Sequence, residues 1–209
     1  MKFYSFCRTA FGPLFRFLYR IHVHGAENIP IKGSLLICPN HISAMDVIFL
    51  TAVTKKRQIR YMAKAELFKI PVVKQLISAL GAFPVNRGGA DVGAVRKTVS
   101  ILKEGGTIGI FPQGTRCTGV HPNQSSVQTG VGYIAYHSGT TVLPVAIITK
   151  GYKKKLFRRV DIIYGKPISN EEFNFVTGKR DEQKAAADRI FADILALHEE
   201  GKEKYGIPH

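Results

Sequence analysis

The chain is poor in acid. Its 209 residues carry 15 Asp and Glu against 30 Lys and Arg, a formal net charge of +15. A field of that sign and size draws polyanions, whether nucleic acid, anionic lipid headgroups or phosphorylated substrates. Composition alone does not choose among them. Cysteine is also scarce. Cys7, Cys38 and Cys117 are odd in number and far apart, which argues against a disulfide framework or a metal knuckle and points to a reducing cytosolic setting. No run approaches the roughly 18 consecutive apolar residues of a spanning helix. Arg8, Arg16 and Arg20 break up the N-terminal apolar region, so no secretory signal layout is expected. Internal repeats, low-complexity tracts and a linker long enough to divide two domains are missing too. Hydrophobic residues make up 45% of the chain, so disorder is not the default, and the length suits one domain with a real core.

What is present begins with FYSFCRTAFGPLFRFLYRI, Phe3 to Ile21, which is aromatic and basic together. On a helical wheel at about 100° per residue, Lys2, Arg8, Arg16 and Arg20 fall within an arc of about 120°. Phe3, Cys7, Phe11, Leu14, Leu18 and Ile21 gather on the opposite side. That is the composition of an interfacial helix lying in the headgroup plane; a terminal helix whose Phe residues pad the protein's own core is the alternative. Gly12-Pro13 predicts a kink, or a split into two short helices. Residues 1–21 are thus expected to be a membrane-associating helical segment, and 22–209 an α/β domain. A second apolar stretch, from Leu67 to Val73 and on to Phe83, carries only Lys69 and Lys74 as charges. It suits a buried helix and a membrane-facing one equally.

Along the domain, strands are predicted at Ser34–Cys38, Ile59–Ala63, Ala82–Asn86, Thr107–Phe111, Val142–Ile148 and Val160–Tyr164. Pro84 puts the third of these at an edge or a strand end. Helices are expected after Ser43, over 91–104 with Val92, Val95, Val99 and Leu102 as one stripe, over 130–137, and over 181–200 with Ala187, Ile190, Phe191, Ile194 and Leu195 inward. This alternation predicts an α/β fold, a mixed and largely parallel sheet flanked by helices.

Three short stretches could carry chemistry. In Asn40-His41-Ile42-Ser43-Ala44-Met45-Asp46, Ser43 and Asp46 form a capping-box pattern, and Ile42 with Val47 a hydrophobic staple. His41, after a strand and before a helix start, lies where open α/β sheets bind ligands. Asp46 can reach it only from the first helical turn, and would then fix the tautomer of an imidazole acting as a base. By itself the pair is a weak signal, and the stretch reads first as a capped helix beside a surface His. Phe83-Pro84-Val85-Asn86-Arg87-Gly88-Gly89 and Phe111-Pro112-Gln113-Gly114-Thr115-Arg116 each end a predicted strand with an Arg beside Gly. Such turns suit a phosphate, which guanidinium grips bidentately while Gly lets the backbone approach.

These blocks, with Val142-Leu143-Pro144-Val145, Gly25–Pro30 and Tyr61–Phe68, resemble the glycerophospholipid acyltransferase family over roughly residues 22–165, in the family's order. The resemblance implies transfer of an acyl chain from acyl-CoA or acyl carrier protein to a lysophospholipid acceptor, foremost lysophosphatidic acid, with no cofactor beyond that co-substrate. Glycerol 3-phosphate or another lysophospholipid is the alternative acceptor. It further implies His41 as general base, oriented by Asp46, and a phosphate pocket from Arg87, Gly114, Thr115 and Arg116, with Lys64 as a further member. Pro144 and Gly130 would shape the site. The family's third block usually reads Glu-Gly-Thr-Arg; here Gln113 takes the Glu position, which removes a negative charge and an anchor for Arg116. The expected setting is an anionic membrane surface, on the cytoplasmic face of the cell membrane, held peripherally or monotopically. A basic, non-catalytic binding protein is the competing class, with Lys153-Lys154-Lys155, Arg158-Arg159 and Lys55-Lys56-Arg57 as its footprint. No nucleic-acid partner is expected, because no zinc-finger, RRM or homeodomain pattern is present.

Overall fold

Leu35-Leu36-Ile37-Cys38 is apolar at every position, the mark of a strand covered on both faces. In the computed structural model, which describes residues 2–55, 57–86 and 91–207, these four side chains are fully buried at the centre of a seven-stranded sheet. The strands are β1 (Ile21–His24), β2 (Leu35–Pro39), β3 (Ile59–Lys64), β4 (Phe83–Val85), β5 (Thr107–Gly109), β6 (Thr141–Ile148) and β7 (Val160–Tyr164). Their spatial order is β1-β7-β6-β2-β5-β3-β4. All neighbours are parallel except β6 and β7, which pair antiparallel. Five strands therefore share one direction, and the loops after β2, β3, β4, β5 and β6 leave from the same edge. β4 closes one side of the sheet, as Pro84 predicted.

Six α-helices cover the sheet: α1 (Lys2–Leu18), α2 (Asp46–Val53), α3 (Pro71–Ala79), α4 (Val92–Lys103), α5 (Gly130–Ser138) and α6 (Arg180–Tyr205). One face packs Leu35, Ile37, Leu143, Val145 and Ile147 against α1 and α2. The other packs Leu36, Cys38 and Val142 against α4, α5 and α6. Pairing of α5 with α6 depends on Gly132, where an added Cβ would lie 1.8 Å from the Gln183 carbonyl oxygen and 3.2 Å from the Ala187 nitrogen. Backbone atoms cannot yield as a side-chain end can. Gly132→Ala is therefore expected to destabilise by about 1–3 kcal/mol, read as a melting temperature lowered by about 2–4 °C for each kcal/mol.

Several expectations change. α1 is one helix with Pro13 inside it, not two short ones. The carbonyl that Pro13 leaves unbonded belongs to exposed Thr9, where water can serve it, while buried Gly12 faces Ala52 of α2. Ile21 opens β1 rather than ending the helix; four residues, IHVH, were too short and too polar a run to announce a strand. The inward stripe of α4 is Ala94, Thr98, Ile101 and Leu102, with Val92 outside. Val95 and Val99 flank that stripe, partly buried against the same core as Leu102, so the valine pattern was right except at Val92 and missed Ala94 and Thr98.

The outward face of α1 carries Phe3, Phe6, Phe11, Leu14 and Phe17, with Phe6 63% and Phe17 73% exposed. The helix docks instead through Tyr4 and Gly12, the Tyr4 hydroxyl accepting a 3.2 Å hydrogen bond from Ile59 N. Arg8, half-buried, donates to the Lys55 carbonyl. The stretch after β3 forms a 3-10 turn, Ala65–Lys69, and α3, neither with a buried residue. Leu67, Ile70, Val72 and Leu76 all face outward. Among the described residues, no helix is long and apolar enough to cross a membrane.

Candidate active site

β2 ends at Pro39, and its neighbour β6 continues past it. Asn40 prolongs the ladder with its side chain: Nδ2 donates to the Ile147 carbonyl at 3.0 Å and Oδ1 accepts from Ile147 N at 2.6 Å. That amide pair fixes where the chain turns out of the sheet, one residue before His41. Asp46 holds the turn from the other side. Its Oδ2 accepts from Ile42 N at 2.7 Å, Ser43 N at 2.8 Å and His41 Nδ1 at 2.8 Å. The reciprocal half of the capping box is not formed: Ser43 Oγ accepts from Met45 N at 3.2 Å, two residues on, and Asp46 N donates to the Ser43 carbonyl instead. Residues 43–45 form a turn, and α2 begins only at Asp46. The carboxylate thus starts the helix and orients the imidazole with the same oxygen.

His41 is 8% exposed, and its ring stacks on Phe111 with centroids 3.7 Å apart and planes at 18°. With Nδ1 donating to Asp46, Nε2 is the nitrogen left to accept a proton, and it has no hydrogen-bond partner among the described residues. The loop after β5 clamps the backbone here. Cys117 N donates to the His41 carbonyl at 2.8 Å, and Thr118 Oγ1 to the Ile42 carbonyl at 2.6 Å. Gln113 is buried; its Oε1 accepts from His41 N at 2.6 Å and its Nε2 donates to Ser125 Oγ at 2.7 Å. The amide faces inward, toward His41 and not toward Arg116.

Gly114 has φ +69°, and a Cβ there would meet Gln128 Cγ at 2.9 Å, so the turn is made for glycine. Gly114, Thr115 and Arg116 are exposed, and Arg116 makes no ion pair among the described residues. The Cys117–His41 bond seats this cation one residue from the imidazole's own backbone contact. Lys64 ends β3, exposed, on the same sheet edge. Arg87 lies outside the described residues. Gly130 opens α5 with empty space where a Cβ would go, and nothing in the geometry ties it to His41. Pro144 pairs with Cys38 inside the sheet and borders a 380 Å³ recess along α6, on the layer away from α2. That recess and a second of 470 Å³ beside α6 are lined by neither His41 nor Asp46. The candidate site is instead the edge of the sheet after β2 and β5, where the His41–Asp46 pair and the exposed Arg116 lie. Cys38, two residues before Asn40, is no competing nucleophile, because burial pushes its thiol far up.

A second His–Asp pair shows how little such a distance says alone. His24 Nε2 lies 2.9 Å from Asp161 Oδ1. There the aspartate is shared with Arg159, 2.7 Å from its other oxygen, and the imidazole is stacked under Tyr205 at 3.9 Å. The pair joins β1, the outermost strand on that side of the sheet, to β7, with β6 standing between β7 and β2.

The sequence reading missed three contributors: the Asn40 bridge to Ile147, the Phe111 stack, and the clamp from Gln113, Cys117 and Thr118. Asn40, Phe111 and Gln113 stood inside the quoted blocks, but partners 107 and 72 residues away leave no local signal.

The acyltransferase family profile matches residues 20–148. A 1-acyl-sn-glycerol-3-phosphate acyltransferase of Bacillus subtilis is 29% identical over 96% of both chains. The protein of that name from Borreliella burgdorferi is 35% identical over 72% of this chain and 58% of its own. Among solved structures, the 1-acyl-sn-glycerophosphate acyltransferase PlsC of Thermotoga maritima superposes with a TM-score of 0.64 at 25% identity, over 93% of this chain and 79% of that one. With its largely parallel sheet, its His–Asp turn and a family profile matched over more than half its length, this chain belongs to the acyltransferase family.

Proposed function

We propose that the protein transfers an acyl group from an acyl thioester to the free hydroxyl of 1-acylglycerol 3-phosphate, giving phosphatidic acid. The relatives' names support this acceptor, the Bacillus subtilis protein most directly because it aligns end to end. The observation that carries the mechanism is the His41–Asp46 pair, with Nδ1 held at 2.8 Å, which leaves Nε2 as the nitrogen that can take a proton. In this reading Nε2 takes the proton of the acceptor hydroxyl as its oxygen attacks the thioester carbonyl. The tetrahedral intermediate expels the thiolate, which recovers the proton from His41, leaving an ester and a free thiol. No bond to the protein forms. Asp46 stabilises the imidazolium between the two proton transfers. Arg116 grips the acceptor's phosphate and Lys64 joins it from the end of β3, with Arg87, outside the described residues, as the further cation that the family resemblance implies. Both coenzyme A and acyl carrier protein present the thioester this mechanism needs. The outward Phe face of α1 supports peripheral attachment to an anionic bilayer, where such an acceptor resides.

The test crosses 1-acylglycerol 3-phosphate, glycerol 3-phosphate and an uncharged monoacylglycerol with acyl-CoA and acyl carrier protein thioesters, following free thiol and lipid product. Phosphatidic acid formed from the first acceptor in strong preference to the third is the expected result. Thiol release that ignores the phosphate would overturn the assignment of the Arg116 turn.

A further inference from the structure

The segment joining β6 to β7 leaves from the same sheet edge as His41 and reads Lys153-Lys154-Lys155-Leu156-Phe157-Arg158. It is built to show its apolar tip. Leu156 is 55% and Phe157 57% exposed, and Phe157 holds φ +59°, a left-handed backbone that a residue with a bulky side chain rarely adopts. The surrounding bonds impose it. Phe157 N donates to the Leu18 carbonyl at 2.7 Å, pinning the tip to the C-terminal end of α1. Arg158 Nη1 donates to the carbonyls of Lys150 at 2.8 Å and Lys153 at 3.2 Å, closing the loop from inside. One cation is thereby used in the loop's own structure, while Lys153, Lys154 and Lys155 remain exposed around two outward apolar side chains. Lys154 Nζ also lies 5.9 Å over the ring of Tyr19, the residue that follows α1. On the other flank, Gly119 N donates to the Tyr152 carbonyl at 2.8 Å, joining the loop to the segment that carries Arg116.

We infer that this loop is a preformed second anchor for an anionic lipid surface, continuous with the Phe face of α1 and coupled to the Arg116 segment. Leu156 and Phe157 enter the acyl boundary, and the three lysines meet the phosphates around them. The apolar tip chooses a bilayer over a nucleic acid or an acidic protein: those partners match the lysines but give two exposed apolar side chains nothing to bury against. The inference rests on the membrane attachment proposed for α1 and adds to it a site that reads charge.

The test is co-sedimentation of the full chain with phosphatidylcholine vesicles, with and without phosphatidylglycerol, for three double variants. Leu156→Ser with Phe157→Asn, Asn being at ease with positive φ, is expected to lower partitioning more than tenfold on both vesicle types. Lys154→Gln with Lys155→Gln is expected to lose about 30-fold on anionic vesicles, about fivefold per lysine, and nothing on neutral ones. Phe6→Ser with Phe17→Ser tests α1 separately. If only the α1 pair weakens binding, the loop is no anchor and the inference falls while the attachment of α1 stands. If none of the three changes partitioning, both fall. Loss of transfer from acyl carrier protein alone, with vesicle binding kept, would make the loop a dock for an acidic protein and overturn the inference. Parental melting temperatures show that each loss comes from the surface.

Discussion

His41→Ala is expected to lower the rate of acyl transfer by about 10²–10⁴-fold, the usual contribution of a positioned general base, while the chain stays folded. The second half of that expectation follows from Asp46. Its Oδ2 still accepts from Ile42 N and Ser43 N when the imidazole is gone, so the start of α2 keeps two of its three bonds. Phe111 loses a stacking partner, a contact worth about 0.5–1.5 kcal/mol, which lowers stability slightly without unfolding the sheet edge. Asp46→Asn separates the two duties of the carboxylate. Because all three donors converge on one oxygen, the amide must aim its carbonyl at them, preserving the turn and the tautomer and removing only the charge that supports the imidazolium. Its kcat is expected to fall between those of the parent and of His41→Ala, with KM for the acceptor little changed. The measurement is kcat and KM for both variants beside their melting curves. Parental turnover by His41→Ala in a folded protein would end the general-base mechanism, and Asp46→Asn failing by unfolding would show the carboxylate to be a helix cap first.

How much of this was legible beforehand depends on whether the cause is local. The central strands were, because Leu35–Cys38 and Val142–Ile148 are apolar at nearly every position and only a doubly covered strand uses such a run. The edge strand at Phe83–Val85 was flagged by a single proline. The His41–Asp46 contact was legible in principle from Ser43, since a helix starting close behind it brings the acid back toward the histidine. Even so, the helix begins later than the cap suggested, at Asp46 itself. What escaped were long-range decisions. Whether α1 points its phenylalanines inward or outward is fixed by Gly12 fitting against Ala52 and Tyr4 reaching Ile59, and neither contact leaves a periodicity. The strand at Ile21–His24 exists because β7 offers it a parallel partner 139 residues on. The inward face of α4 includes Ala94 and Thr98 beside Val95 and Val99, and a small and a hydroxylated residue carry no apolar signal.

Gln113 was read as a missing charge beside a phosphate, and its place in the structure asks for a different experiment. Its amide bridges His41 N and Ser125 Oγ at 2.6 and 2.7 Å, while the Ser125 hydroxyl donates to the Pro122 carbonyl at 2.6 Å. Ser125 therefore has only a lone pair to offer, and the neutral amide, donor on one side and acceptor on the other, matches both neighbours. Gln113→Leu leaves the His41 N–H buried without a partner, at a cost of about 1–3 kcal/mol. Relief comes by shifting the very backbone that aims the imidazole, and a displacement of about 1 Å there costs on the order of 10²-fold in rate. Gln113→Glu, the residue usual in the family, behaves differently. A carboxylate still accepts from His41 N, and Ser125 can rotate to donate to it, giving up Pro122, so positioning survives. A buried negative charge then sits beside His41 and favours the protonated imidazole, which cannot act as a base. The acid limb of the pH–rate profile is expected to move to higher pH, with activity on the alkaline side retained within a few-fold. Parental kcat in Gln113→Leu would remove the residue from the positioning of His41. Superimposable profiles for Gln113→Glu and the parent would leave that role standing and discard the charge argument, so the two variants together separate geometry from electrostatics at one position.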